Sequence, residues 1–444
     1  MKRLCVLLLS SGIFLVLCTQ AFALDVKVSG EFVAGGLYLD RTTLKKDTAA
    51  DGPSSAFYFQ RLRVKTDFVV AQGLTLITRF DAMERTWGAQ RSTPGTALDT
   101  MSAGSRAENE NLAFDWVYLT YKSPVGLWRV GYMNDGAWGT AFMDTSTPRG
   151  KIAWVYNTSH WMFTLQIAKM AERNYSATAP GVTASDLDGD KYCGAFRYTW
   201  NGGEAGILIG LGRDAGNKPG SGGYKSIYNN FMPYAKAQIG PVKLQGEVIY
   251  FQGKLRDYED NAYARDVQFD ALSGWVDATA QLGRFYTGGT VAYVAGDDPG
   301  TTDKAEGDAM RNNGGRDWSP CLIMWNEDRS YRAGNIDGHN NARQSSPMYN
   351  AWFFQIRGGM KPTEKLDILA SLSYANADRK PTSAWLYNDY GYEVDLTATY
   401  QLTRNLSYLL GVGYLFTGDY YKGESHANSL SNDYLVLNKL TLTF

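Results

Sequence analysis

The sequence predicts an all-β protein, a closed antiparallel up-and-down β-barrel of eighteen strands built to cross a membrane. Three observations predict it. Segments of about ten residues with apolar or aromatic side chains at every second position recur down the chain. The connections between them are alternately short and long. Aromatic residues make up 14% of the chain and glycine contributes 47 residues, a composition suited to strands that meet both water and lipid.

Taken from the start, residues 1–23, "MKRLCVLLLSSGIFLVLCTQAFA", carry Lys2 and Arg3, an apolar run from Leu4 to Cys18, and Ala21-Phe22-Ala23. A charged region, a hydrophobic core and an A-x-A site read as a secretory signal peptide cleaved after Ala23. Residues 24–444 then form a single barrel domain. No comparable apolar run follows, so no helical membrane span is expected. The formal net charge of −1 gives no footprint for nucleic acid.

The alternating segments fall near 26–39, 57–70, 74–87, 112–122, 127–134, 150–157, 161–171, 191–200, 204–213, 227–239, 242–252, 267–281, 284–295, 349–360, 365–375, 389–402, 405–417 and 433–444. A count of sixteen stays open if two weak segments, such as 150–157, are loop. "AQG" at 71–73, "SPVG" at 123–126, "NGG" at 201–203, "GP" at 240–241 and "KPTE" at 361–364 have the composition of tight turns. Between them lie long polar pieces at 88–111, 172–190, 253–266 and 297–346. Short turns therefore gather at one end and long loops at the other. A soluble β-sandwich has no reason for that asymmetry, whereas an outer-membrane barrel has short periplasmic turns and long extracellular loops.

The faces agree. In "YGYEVDLTATYQL", Tyr390, Tyr392, Val394, Leu396, Ala398, Tyr400 and Leu402 form one ladder, and Glu393, Asp395, Thr397, Thr399 and Gln401 the other. Eighteen strands enclose a lumen too wide for side chains to fill, so the apolar ladder must face lipid. In hydrocarbon each unpaired backbone group costs several kcal/mol, so the last strand must pair with the first. "LVLNKLTLTF" would thus close against "DVKVSGEFVA", with Phe444 at the periplasmic interface. Trp128, Trp154, Trp161, Tyr400 and Tyr408 near the short turns, and Tyr132, Trp352, Tyr374, Tyr390 and Tyr414 nearer the loops, read as interfacial girdles.

With the barrel in hand, several stretches resemble the bacterial outer-membrane porins, most closely the alginate-export-like group. They are "FYFQRLRVKTDF" at 57–68, "WVYLTYKSPVGLWRVGYMNDGAWGT" at 116–140, "GRDWSPCLIMW" at 315–325 and "GYEVDLTATYQLTRNLSYLLGVGYLFTGDYY" at 391–421. The resemblance implies an 18-stranded barrel and passage of solute, anionic saccharides among them. It also implies that Phe444 is the terminal aromatic by which the barrel-assembly machinery recognises its substrates. Outer-membrane lipid and lipopolysaccharide would surround the barrel, and a homotrimer is a common assembly of such proteins.

The same alternation assigns the lumen. Arg61, Arg63 and Lys65 on the second strand, then Arg79, Arg129, Lys151, Lys169, Arg197, Lys236 and Lys243, form an expected basic wall. Asp270, Asp277, Asp367, Glu393 and Asp395 form an acidic one, with Arg357 the main opposing charge. Facing walls of opposite sign would set up a transverse field. In the fifty-residue segment 297–346, the apolar island Cys321-Leu322-Ile323-Met324-Trp325 is expected to pack on the barrel wall or fold into the mouth. Beyond the leader the chain keeps Cys193 and Cys321, both placed toward the loop end, where a disulfide is within reach. Asp186, Asp188 and Asp190 with Gly189 read as half of a calcium loop, but the bidentate Glu of the full pattern is replaced by Arg197, so a solvated acidic loop is preferred. His160, His339 and His426 lie in turns or loops without a triad arrangement, so neither catalysis nor a cofactor is expected. The leading reading is a porin for passive diffusion of small hydrophilic solutes. The alternatives are a selective channel for anionic saccharides and, from another class, an outer-membrane enzyme using loop residues.

Overall fold

A computed structural model describes residues 25–46, 52–88, 112–173, 187–218, 222–259, 264–344 and 346–444; residues 1–24 and Asp186 lie outside them. Alternation of side chains dictates strands, and eighteen long ones form. They are β1 (Asp25–Leu39), β2 (Ser55–Ala71), β3 (Leu74–Thr86), β4 (Leu112–Ser123), β5 (Gly126–Asp135), β6 (Thr147–Asn157), β7 (Trp161–Ala171), β8 (Gly189–Trp200) and β9 (Gly203–Asp214). These are followed by β10 (Tyr224–Ile239), β11 (Val242–Tyr258), β12 (Val267–Leu282), β13 (Phe285–Val294), β14 (Ala351–Thr363), β15 (Leu366–Ala377), β16 (Asp389–Gln401), β17 (Leu406–Thr417) and β18 (Asp433–Thr443). Segment 150–157 is a true strand, Thr147–Asn157, so the count is eighteen and not sixteen.

Every long strand pairs antiparallel with its sequence neighbours, and β18 pairs β1 from Glu31↔Thr443 to Leu39↔Leu435. The Phe444 N–H donates to the Gly30 carbonyl at 3.0 Å, and Gly30 N–H returns to the Phe444 carbonyl at 2.8 Å. Closure thus leaves the barrel no sheet edge, which is the only way a sheet satisfies its backbone in hydrocarbon. Gly202 and Gly240, at φ of 88° and 56°, adopt the left-handed conformation that the turns β8–β9 and β10–β11 require.

The faces are inverted relative to a soluble barrel. Phe163, Leu165 and Ile167 on β7 and Tyr392, Val394 and Leu396 on β16 stand 42–60% exposed on the outside. Their alternates Glu393 and Asp395 are buried inside. Trp128, Trp161, Tyr400, Tyr408, Tyr132, Trp352 and Tyr414 are likewise exposed on the outer surface.

The inside is not an open tube. Two connections fold inward: residues 136–146 between β5 and β6, and residues 295–350 between β13 and β14. The second holds a short helix, Glu327–Ala333, started by Asn326, whose side chain accepts the Arg329 N–H. Phe142 of the first stacks on Trp275 of β12 and meets Trp318 of the second edge-on at 5.1 Å between ring centroids. Phe142, Trp325 and Phe353 are at most 2% exposed, so an apolar core lies within the lumen.

Candidate functional site

The inner wall from β2 to β11 carries the cations that alternation assigns to it. Arg61, Arg63 and Lys65 share the β2 face of buried Phe59, and Arg79 the β3 face of buried Asp81. Arg129, Lys151, Arg197, Lys236 and Lys243 share faces with Met133, Ala153, Cys193, Tyr234 and Glu247. Most are locked in ion pairs. Arg63 grips Asp81 through Nε and Nη2, both at 2.7 Å. Arg61 reaches Glu31 at 3.1 Å, Lys65 reaches Asp67 at 2.8 Å, and Arg79 is bidentate on Asp115 with its guanidinium 3.6 Å over the Trp116 ring. Asp135 receives Lys191 at 3.2 Å and Lys151 at 3.3 Å, while Arg197 and Lys236 share Glu204. Arg129 and Lys243 make no ion pair among the described residues. Around Arg129 the wall hollows into a cavity of 420 Å³ that Lys151, Arg197, Trp116, Tyr118 and Trp138 also line.

The acids do not face the basic wall across water. Asp277 is clamped by Arg357 at 2.7 Å and accepts the Thr290 hydroxyl at 2.6 Å. Asp367 accepts the Tyr286 hydroxyl near the short turns. Glu393 and Asp395 lie beneath the inward connection: Ile323 N–H and Met324 N–H donate to the two Glu393 oxygens at 2.6 and 2.7 Å, and Leu322 N–H reaches Asp395 at 3.4 Å. The expected apolar island thus docks on the wall, with Cys321, Ile323, Met324 and Trp325 at most 4% exposed. From there the connection runs a chord across the lumen. Arg332 of its helix stacks 3.8 Å over Phe59 of β2 and meets Glu84 of β3 at 3.7 Å.

Three assignments need correction. Asp270 and Asp277 are seven residues apart and cannot share a face of a regular strand. Asp277 is the inward one; Asp270 shares the outer face of Leu272 and Val276 and pairs at the rim with Lys304 at 2.8 Å. Lys169 has the outward parity of Leu165 and Ile167 and binds Asp188 and Asp190 at 2.5 and 3.1 Å. Tyr390 leaves the girdle because Gly391, at φ 111°, interrupts the pleat where the β15–β16 register shifts, and turns it inward to 3% exposure.

The inward hook 136–146 is absent from the sequence expectation. Its Thr140 donates N–H and Oγ1–H to Glu247 at 2.9 and 2.6 Å, and the Trp138 indole donates to the Met232 carbonyl at 2.9 Å. Burial pushes the Asp144 carboxyl in this hook up to about 6, with neighbouring Asp317 adding to the shift. Trp138, Phe142 and Met143 in an eleven-residue loop were the available signal, since a loop bathed in water has no use for them.

The chain has the architecture of Pseudomonas aeruginosa OccK9 (OpdG), with a TM-score of 0.52 at 14% identity over 95% of this chain and 99% of that one. A BenF-like porin from Pseudomonas fluorescens Pf-5 aligns with a TM-score of 0.50 at 12% identity over 94% and 99%. The fold is that of a porin. No protein-family model and no curated protein matches the sequence.

In this barrel the two thiols are free and buried, so the Cys193–Cys321 disulfide is not formed. Cys193 packs with Ala195 and Leu208 on β8 and β9, whereas Cys321 donates to Ser373 Oγ of β15 at 3.3 Å, and β8 and β15 are not neighbours in the ring. Reduction is therefore expected to leave the gel mobility of the protein unchanged, with both thiols alkylated only after unfolding; a shift on reduction would reverse this assignment. Of the calcium half-loop, the two described carboxylates, Asp188 and Asp190, are both taken by Lys169. His160 Nδ1 faces the Thr199 carbonyl and His339 Nε2 the Ser429 carbonyl, both at 3.1 Å, while His426 meets the Tyr387 hydroxyl. None sits in a nucleophile–base pair among the described residues.

Proposed function

We propose that this chain is an outer-membrane channel for small hydrophilic solutes with a preference for anions, rather than a wide nonselective pore. One observation carries the reading: the inward connection covers Glu393 and Asp395, while the cavity around Arg129, Lys151 and Arg197 stays open. The open cavity therefore lies on the basic wall. Anions entering it meet the Arg129 guanidinium, unpaired among the described residues, in a narrow, partly apolar space where local counter-ion concentration rises. Trp116, Tyr118 and Trp138 beside those cations suit solutes that pair a carboxylate with an apolar or ring portion. The short-range resemblance to alginate-export-like barrels keeps uronates among the anions to be tried. The export-type leader, the exposed apolar belt and Phe444 hydrogen-bonded at the seam support an outer-membrane location and assembly by the barrel machinery.

The test is a planar bilayer separating unequal concentrations of potassium chloride. The expected reversal potential has the sign of chloride preference, and single-channel conductance lies well below that of an unobstructed eighteen-stranded lumen. Cation preference, or a large ohmic conductance indifferent to the solute, would refute the proposal.

A further inference from the structure

A second cavity lies at the long-loop mouth, away from the basic wall. It has a volume of 310 Å³, at the small end of ligand pockets, and so suits a single ring. Its floor is aromatic. Trp325 and Tyr390 meet edge-on at 5.7 Å between centroids, Tyr420 lies 4.3 Å from Tyr390, and Tyr349 completes the wall.

Gln344 lines this cavity, only 3% exposed, and its amide oxygen and nitrogen both lack a hydrogen-bond partner among the described residues. Its polar neighbour Asn350 is already spent: its amide donates to the Arg379 carbonyl at 2.9 Å and accepts the Arg379 N–H at 2.8 Å. The Asn350 amide therefore has nothing left to offer Gln344. A buried amide left unpaired at both ends is costly, and the groups that relieve it must accept and donate at once. Hydroxyl groups do so; a carboxylate, which only accepts, does not. The lining holds one acid, Asp297, and one base, Arg343, so the cup carries no net positive charge to recruit an anion.

We propose that this cup binds the ring of a neutral monosaccharide, its C–H face on the aromatic floor and adjacent hydroxyls on Gln344. Aromatic surface with convergent amide groups is the pairing that a flat, hydroxyl-edged ring demands. The site goes beyond the channel reading and does not depend on it, because binding at the mouth needs no conduction.

The experiment is saturation-transfer NMR on the full-length protein in detergent, titrated with glucose, galactose, mannose and xylose, with benzoate as an aromatic competitor lacking hydroxyls. At least one sugar is expected to give saturable transfer that benzoate does not displace. Gln344→Leu, which keeps the size and removes both polar atoms, should weaken that binding about tenfold. Gln344→Glu, which keeps an acceptor and loses the donor, should weaken it less. The mobility of unheated barrel on a gel reports folding of each variant, and Gln344→Glu carries the test if Gln344→Leu misfolds. The inference is overturned if no sugar saturates, if benzoate displaces the sugar, or if the folded variant binds with wild-type affinity. A channel that fails to conduct but binds the sugar would refute the channel reading alone.

Discussion

Glu393→Ala is expected to raise single-channel conductance severalfold and to make the current noisy. Both oxygens of Glu393 hold backbone N–H groups of the inward connection, and the residues that own them, Ile323 and Met324, are fully buried. Alanine leaves two buried donors without acceptors, at a cost of about 1–3 kcal/mol each, and leaves a void where the carboxylate stood. The docked state of residues 320–326 then competes poorly with states in which those N–H groups meet lumen water. Once the island lifts, the chord it anchors swings on its other support, Arg332 between Phe59 and Glu84. The barrel wall should survive, because strand pairing from β1 to β18 does not use this side chain. Glu393→Gln is the graded control: it keeps one acceptor and presents an NH₂ group to the other N–H, so its conductance should fall between wild type and alanine. Wild-type conductance and quiet current in Glu393→Ala would mean that Gln355, which donates to the Pro320 carbonyl at 2.8 Å, and the apolar packing suffice to hold the plug.

How much of this was legible in the residues depends on what kind of constraint produced it. The wall was legible because lipid enforces it. A strand in hydrocarbon must alternate, must pair on both sides and must close, so period two and loop asymmetry were enough to place all eighteen strands and the β1–β18 seam. Parity failed where a local event broke it. Gly391 reversed the facing of Tyr390, and nothing in "NDYGYEV" distinguishes a bulged glycine from a plain one. Asp270 is different, since its seven-residue spacing from Asp277 already forbids a shared face.

The ion pairs were illegible for another reason. That Arg63 opposes Asp81, or Arg79 approaches Asp115, follows from inter-strand register, which is set by turn lengths and bulges such as the one at Arg79/Phe80. A list of inward cations therefore looked like a rail of free charge when most of it was already neutralised. The inward loops lay between these extremes. Apolar residues in 321–325 announced that the long connection must be covered, and only the structure could show that Glu393 and Asp395, expected to face solvent, supply the covering wall.

Arg129→Glu is expected to abolish the anion preference, with the permeability ratio of chloride to potassium falling about tenfold or more. Selectivity is governed by charge that is not cancelled nearby. Arg63 and Asp81 at 2.7 Å present the lumen with a dipole, and a dipole's field fades faster than that of a single charge. Arg129 has no ion-pair partner among the described residues and borders the open cavity with Lys151 and Arg197. At an effective dielectric of about 20, a unit charge about 8 Å from a passing ion is worth about 2 kcal/mol before screening. Reversal counts that term twice, and a Debye length of about 10 Å at 0.1 M leaves much of it in place within so small a space. Arg63→Gln should behave in the opposite way. It leaves Asp81, fully buried, without its partner, so the barrel loses about 3 kcal/mol of stability, while the reversal potential moves much less than in Arg129→Glu, because one charge is removed at a buried pair rather than reversed at the open cavity. Comparing the two variants in one bilayer experiment, with unfolding in urea as the second axis, separates charge that selects ions from charge that holds the wall. If Arg63→Gln shifts the reversal potential as far as Arg129→Glu, the paired cations act as a rail after all, and the open cavity is not where selection occurs.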